Sequence, residues 1–383
     1  MTALRIHFLT QYVAQAGTYF RFHNLAVGLN KLGQQVTVFG CDPNPGSRER
    51  VEVREGVTYH ITHGYKGMSL FGGECHPLTT IKRSIFNYPA CDVAHLFQPF
   101  PSAAYPWTWT LRKKTKAMFY DWDDLWVGGL IKGRTKSFRE MWVKASIGYL
   151  EKRLPKASHH VTTCSQFLAE LATERKARSV SIIPNGFWPF VVPDKAVARM
   201  SLGLDPHAVY VGFMGRTIDE LSWCFEALEM NARRHAQLRF ALCGPTSETL
   251  NGLSSGILKR IDFLGSLPPL KTREFAAAID LGLLPLEDNP FNQSRFPIKY
   301  TEYMSAGTPV LCSEVGECGK LSDNLSWIIK AGKTKPQWLE TFEQAVSMLM
   351  EGGIAQVDIG AVEQSLSWDS ISNKLLNVYL SEL

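Results

Sequence analysis

The chain has 383 residues, 45% of them hydrophobic and 20% charged, with mean hydropathy −0.10, which excludes a disordered, collagenous or membrane-embedded protein. At roughly 100–200 residues per domain this length calls for two domains and excludes a single small binding module. The net charge of +5 is unevenly spread: residues 1–190 carry 24 Lys and Arg against 13 Asp and Glu, and residues 191–383 carry 17 against 23, so the halves face different partners or different parts of one.

A buried strand is predicted over 4–9, followed by a loop containing Gly17. Phe22, Leu25, Ala26, Leu29 and Leu32 then recur at helical spacing until Gly33 stops the run, and 36–39 reads as the next strand. Strands at 93–97 and 116–120, a long helix over 138–154 and a strand over 161–164 complete a first α/β domain with a parallel sheet, placed at 1–190. Residues 184–207 are rich in turn formers without a regular period and read as the linker. Strands at 209–214, 238–243, 261–264, 281–284 and 309–312 predict a second doubly wound domain over 191–365. The tail, 366–383, reads as an amphipathic helix whose apolar face must dock on something.

No stretch of about 18 apolar residues and no leader-like start is present, so the expectation is a cytosolic protein. The eight cysteines show no metal-ligand spacing and read as reduced thiols. Basic clusters at Arg112-Lys113-Lys114-Lys116 and Lys132-Arg134-Lys136 are either solvated faces or a surface for anionic lipid on the inner face of the membrane; no nucleic-acid motif accompanies them.

Two open α/β domains place the default ligand site in the cleft between them, at the carboxyl ends of the strands. Candidate phosphate loops are Gln15-Ala16-Gly17-Thr18 after the first strand and Gly215-Arg216 after the first strand of the second half. The richest stretch runs from Asn289 to Val310, where Lys299 at a helix start suits a phosphate and Glu302, one turn on, suits a pair of ribose hydroxyls. The alternative there is an ordinary salt bridge at i, i+3. Asp121, Asp123 and Asp124 follow a strand and read as a polar site, a helix cap cluster or a metal site; His95, at a strand end, reads as an acceptor-side group or a packing residue.

In order and spacing these segments resemble the GT-B glycosyltransferases, specifically the family 4-like retaining enzymes. The segments that carry the resemblance are the Gly17 loop with Leu32-Gly33-Gln34-Gln35-Val36, Val161-Thr162-Thr163-Cys164-Ser165 followed by Ile183-Pro184-Asn185-Gly186, Gly212-Phe213-Met214-Gly215-Arg216, Phe263-Leu264-Gly265, and Glu302-Tyr303-Met304-Ser305-Ala306-Gly307-Thr308-Pro309-Val310. The resemblance implies a nucleoside diphosphate sugar held mainly by the second domain and an acceptor by the first, with the tail helix crossing back onto the first domain. Glu302 matches the second glutamate of the family's E-x7-E motif, Gly215-Arg216 its diphosphate loop, and Gly17-Thr18 the loop that approaches the phosphates from the first domain. Arg216 and Lys299 would stabilise the leaving diphosphate, so neither metal nor cofactor is expected. Three departures stand out: Ser294 replaces the first motif glutamate, leaving Asn292, Gln293 or Arg295 to meet the sugar; no Lys or Arg follows Arg216 within 217–221, a role passed to Lys299; and Pro297 precedes the helix amides of Ile298 and Lys299. Phe296 belongs to the same donor-side stretch. Asp123 falls nearest the position of the family's histidine beside the reacting sugar, with Asp121 as a second catalytic candidate and Asp124 on the acceptor side.

The resemblance therefore implies a metal-independent, retaining transfer of a hexose-type unit from a nucleoside diphosphate sugar to a hydroxyl of a glycan, glycolipid or polysaccharide precursor. The alternatives are a catalytically silent GT-B partner protein, or an epimerase or phosphorylase on the same fold. Loops at 64–75 and 126–135, with Tyr65, Lys66, Phe71, Trp126, Lys132 and Arg134, suit a lipid-linked or polysaccharide acceptor.

Overall fold

The apolar runs of the sequence form the parallel strands of two Rossmann-like units, seen in a computed structural model that describes residues 2–65, 76–131, 137–216, 218–321 and 325–383. The predicted basic run Lys132-Arg134-Lys136, the loop positions Lys66, Phe71 and Cys75, and Thr217 lie outside the described residues. Unit 1 comprises Met1–Asn185, Ser294–Phe296 and Trp368–Leu383; unit 2 comprises Gly186–Gln293 and Pro297–Ser367.

Unit 1 is built on β1 (Arg5–Leu9), β2 (Gln35–Pro45), β3 (Arg50–Arg54), β4 (Val57–Gly64), β5 (Cys91–Phe97), β6 (Thr115–Trp122), β7 (His160–Thr163) and β8 (Val180–Ile182). They pair in the order β3-β4-β2-β1-β5-β6-β7-β8, all parallel except the β3/β4 pair. That hairpin was not predicted; its turn is Glu55-Gly56, both at positive φ, and its edge strand alternates Arg50, Glu52 and Arg54 with Val51 and Val53. The chain places β2 on one side of β1 and β5 on the other, so the switch point where ligands bind in such sheets lies at the carboxyl ends of β1 and β5.

The helix Tyr19–Lys31 stops at Gly33, whose φ of +78° suits glycine, and its inner face packs on the helix Trp368–Ser381. A side chain at Gly28 would collide with Ser372. The tail thus returns to unit 1 as expected, and Tyr379 Oη binds His95 Nδ1 at 2.5 Å within the core.

Unit 2 carries β9 (Val209–Met214), β10 (Leu238–Cys243), β11 (Ile261–Gly265), β12 (Leu281–Leu284), β13 (Val310–Ser313) and β14 (Ile328–Ala331). All are parallel, in the order β11-β10-β9-β12-β13-β14, with the switch point at β9/β12. Val211, Phe213, Leu242, Leu283, Trp338 and Phe342 are core residues of this unit. The stretch expected to be irregular holds a helix, Lys195–Leu202, started by Asp194 Oδ1, which accepts from the amides of Ala196 and Val197, and ended by Gly203 at φ +68°. Eight residues are too few to display a period, although both end signals were present in the sequence. The seven described cysteines are buried and form no disulfide with one another, and among the described residues no helix is long and apolar enough to cross a membrane.

Candidate functional site

Unit 2 gathers its candidate residues around the end of β9. Gly215 has φ +126°, and its amide donates to Cys243 O at 3.0 Å. Gly244 (φ +97°) and Gly265 (φ +62°) end the next two strands, so three glycines bring bare backbone to one sheet edge; the sequence reading had singled out only the first and third. Gly244 was legible as the residue ending an apolar strand before Pro245.

Lys299 lies against this edge. A methyl group on Gly215 would stand 2.9 Å from Lys299 Nζ and 3.1 Å from its Cε, and the ammonium sits 4.0 Å from the Phe213 ring centroid. What holds it there is Tyr303, a fully buried side chain of the same helix, Ile298–Ser305, whose Oη accepts from Met214 N at 2.9 Å. Glu302 is half-buried; burial pushes its carboxyl above the usual carboxylate range, while the charges of Lys299 and Arg273 pull it back. Arg273, not anticipated from the sequence, is held 5.0 Å from the Phe190 ring. Arg216 is exposed beside Gly215, and Ile298 opens the helix.

The residues proposed to replace the missing motif glutamate are occupied elsewhere. Asn292 is buried, its Nδ2 donating to Glu220 Oε1 and Glu287 O, both at 2.9 Å. Gln293 spends its Nε2 on Asp288 Oδ1 (2.6 Å) and its Oε1 on Gly316 N (3.1 Å). Ser294, Arg295 and Phe296 belong to unit 1. Ser294 is fully buried, its Oγ accepting from Leu125 N (3.3 Å) and its carbonyl from Ser165 Oγ (2.7 Å); Phe296 O accepts from Asn185 Nδ2 (2.8 Å). Ser294 thus ties the Leu125 backbone to the Ser165 side chain, and the charge of Arg295 acts on Asp124.

In unit 1 the predicted acids lie at the end of β6 but divide in role. Asp121 is 1% exposed and takes Arg21 Nε (2.7 Å) and Nη2 (2.8 Å) on its two oxygens, with Thr162 Oγ1 at 2.6 Å. It is locked in a buried bidentate ion pair and offers an acceptor almost no surface, which overturns the catalytic role expected for it from the sequence. Arg21 was missed because it stands between Phe20 and Phe22 in a helix read for its apolar residues; its Nη1 also holds Asn185 Oδ1 at 3.1 Å.

Asp123 is 7% exposed, and its Oδ2 accepts from Thr18 Oγ1 at 2.6 Å. Burial first, then the Asp121 charge, raise its pKa to about 6, against the pull of Arg21. Burial and Asp123 push the half-buried Asp124 well up in turn. Thr18 directs its hydroxyl to Asp123 instead of capping its helix, so its proton is spent within unit 1; Gly17, at φ +58°, makes the turn before it. The Asp123 loop is held from behind by Glu151, also missed, whose buried carboxylate accepts from Trp122 Nε1 (3.2 Å), Trp126 N (2.8 Å) and Val127 N (3.3 Å).

His95 is a packing residue and lines no acceptor surface. It has no exposed area, its Nδ1 meets Tyr379 and its Nε2 meets Thr162 Oγ1 at 3.1 Å, and burial pushes its pKa down to about 3. Of the described basic cluster, Lys114 Nζ donates to Asn87 Oδ1 and Tyr88 O, and Lys116 pairs with Asp92. Among the described residues no three His, Cys, Asp or Glu side chains gather as a metal-holding group.

The sequence profile of the Glycosyltransferase Family 4 matches residues 17–187, and that of the Glycosyl transferases group 1 matches residues 205–351. A Bacillus subtilis glycosyltransferase, TuaH, named for a provisional place in teichuronic acid biosynthesis, is 22% identical over 244 residues, which are 61% of this chain and 58% of TuaH. The chain thus spans little more than half the length of that curated relative. Among solved structures, a sucrose-phosphate synthase from Thermosynechococcus elongatus matches with TM-score 0.72 at 16% identity, covering 99% of both chains. WaaG, a glycosyltransferase involved in lipopolysaccharide biosynthesis, matches with TM-score 0.67 at 16% identity, covering 98% of this chain and 99% of its own. Both structures share the fold, two parallel-sheet Rossmann-like domains of GT-B type. Profile matches to both halves, strands ending in the glycine turns of unit 2, and the Lys299–Glu302 helix beside them together place the chain in the family 4-like, group 1 glycosyltransferases.

Proposed function

We propose that the chain transfers a hexose-type sugar from a nucleoside diphosphate sugar, held by unit 2, to a hydroxyl of a glycan or polysaccharide precursor, met by unit 1. The observation that carries this reading is the Lys299 ammonium seated against the Gly215 turn, with Glu302 one helical turn away. A glycine turn that lets a ligand approach closely and a cation seated against it suit a diphosphate, and a carboxylate that is only half-buried suits the two hydroxyls of a ribose. Lys299 and Arg216 would neutralise the diphosphate as it leaves, so we read the transfer as independent of a metal ion. Asp123, ionised through most of the neutral range, would orient the acceptor hydroxyl and take its proton.

We further read the reaction as retaining, with the diphosphate leaving from the face on which the acceptor arrives. That route needs no protein nucleophile, in keeping with the Asp121 ion pair and with a serine at position 294. A polysaccharide precursor as acceptor is supported by the names of TuaH and WaaG.

The test is calorimetry and thermal shift with UDP, GDP, ADP, CMP and dTDP, with and without EDTA. One nucleotide should bind wild type and ignore EDTA. Glu302→Ala should bind it about 10- to 100-fold more weakly, since a hydrogen bond to a charged acceptor contributes about 1.5–3 kcal/mol. If no nucleotide binds, the donor site does not exist in this chain.

A further inference from the structure

Gln98 follows β5 directly at the switch point of unit 1, with φ +70°. The two other described non-glycine residues at positive φ, Glu55 and Lys176, are exposed, whereas Gln98 is 2% exposed and precedes Pro99. This backbone conformation suits glycine or asparagine, and the following proline narrows the choice further. Strain of this kind persists where a side chain is needed for function.

The side chain itself indicates the need. Gln98 Nε2 donates to Thr18 Oγ1, and Thr18 gives its single hydroxyl proton to Asp123 Oδ2 at 2.6 Å. The amide group facing Thr18 must therefore be the NH2, which leaves Gln98 Oε1 as an acceptor. Gln98 Oε1 and Asp123 Oδ1 are both buried without a hydrogen-bond partner among the described residues, and so is Gln11 Oε1, two residues beyond β1. All three are oxygens in want of a proton, at the carboxyl ends of the neighbouring strands β1, β5 and β6.

Hydroxyl groups satisfy such a set, whereas a phosphate cannot donate to it and would meet Asp123 and Asp124. Of the two guanidiniums whose charge reaches these acids, Arg21 is bound to Asp121, Asn185 and Pro184 O, and the charge of Arg295 is already set against Asp124. We infer that Gln98 is a specificity-determining residue, whose Oε1 joins Asp123 Oδ1 in receiving the hydroxyl protons of an uncharged sugar. As the identity of the acceptor, this rests on the transferase reading above.

The experiment uses Gln98→Asn and Gln98→Gly, both compatible with the backbone. Thermal melting is measured first, then binding of methyl α-D-glucopyranoside, methyl α-D-mannopyranoside and glucose 6-phosphate by saturation-transfer NMR, with the bound nucleotide present. Wild type should bind a methyl glycoside in preference to the sugar phosphate. Both variants should melt at or above the wild-type temperature, keep the nucleotide affinity and lose at least about tenfold in glycoside affinity. Undiminished glycoside binding by the variants, or preference for the phosphate, overturns the inference, as does a lower melting temperature in both variants. Wild type that binds nucleotide but neither glycoside also overturns it and leaves the donor site standing; binding neither brings down both.

Discussion

Replacing Asp123 with asparagine should stabilise the protein at neutral pH and lose that benefit in acid. In the folded chain burial and the neighbouring Asp121 charge raise the Asp123 pKa from the usual 3.8 to about 6. A carboxyl whose pKa is higher folded than unfolded favours folding fully below the unfolded value, and the contribution disappears as pH rises through the folded value. At about 1.4 kcal/mol per pH unit, the change amounts to about 3 kcal/mol lost between pH 4 and pH 6–7. Asparagine cannot ionise, so the wild-type loss is absent in Asp123→Asn, and its amide oxygen still accepts from Thr18. Urea unfolding at pH 4.5, 6.0 and 7.5 measures the difference directly. Acids away from the site cancel between the two proteins, including Asp42, Glu52 and Asp92, whose pKa values are lowered and whose stability contribution falls in acid, whereas Asp124, raised in part by the Asp123 charge, is relieved in Asp123→Asn and adds to its gain at neutral pH. Asp123→Asn should gain on wild type by about 2–3 kcal/mol at pH 7.5 and by little at pH 4.5. A difference that stays constant with pH, or grows in acid, refutes the reasoning that Asp123 is held in a desolvated, like-charged setting. Acceptor-dependent turnover should fall in the same variant, because stability and proton abstraction make opposite demands on this carboxylate.

Two further substitutions probe the supports of the sites. Gly215→Ala forces a side chain into φ +126° and against Lys299 Nζ, so it should cost about 1–3 kcal/mol in urea unfolding and weaken nucleotide binding at least tenfold by calorimetry; unchanged binding would show that the ammonium is not part of the donor site. Glu151→Ala strips the partner from Trp122 Nε1 and from the amides of Trp126 and Val127 and should cost about 3–5 kcal/mol, with Glu151→Gln costing less because one acceptor oxygen remains; a loss below about 0.5 kcal/mol for alanine would show that the loop needs no clamp.

Much of the proposed donor side is legible from local pattern. Gly215, Lys299 and Glu302 lie at a strand end and on one helix turn, and periodicity locates both elements to within a residue or two. The stretch from Asn292 to Phe296 was misread for the opposite reason. Polar residues in a loop look equally available for a ligand, and only the folded chain shows Asn292 turned to Glu220, Gln293 to Asp288 and Gly316, and Ser294 to Leu125 and Ser165.

The sequence by itself determined the two parallel sheets, the return of the tail helix, and the glycine turns at 17 and 215, because strand and helix periods and positive-φ turns are set by residues close together in the chain. The tertiary structure alone decided which polar groups are spent and which are left to work. Arg21 meets Asp121 across 100 residues and His95 meets Tyr379 across 284, while Thr18 reaches Asp123 across 105. Such pairs carry no local signal: burial raises the cost of an unpartnered charge or hydroxyl, and the partner that relieves it is whichever group the closed sheet brings near.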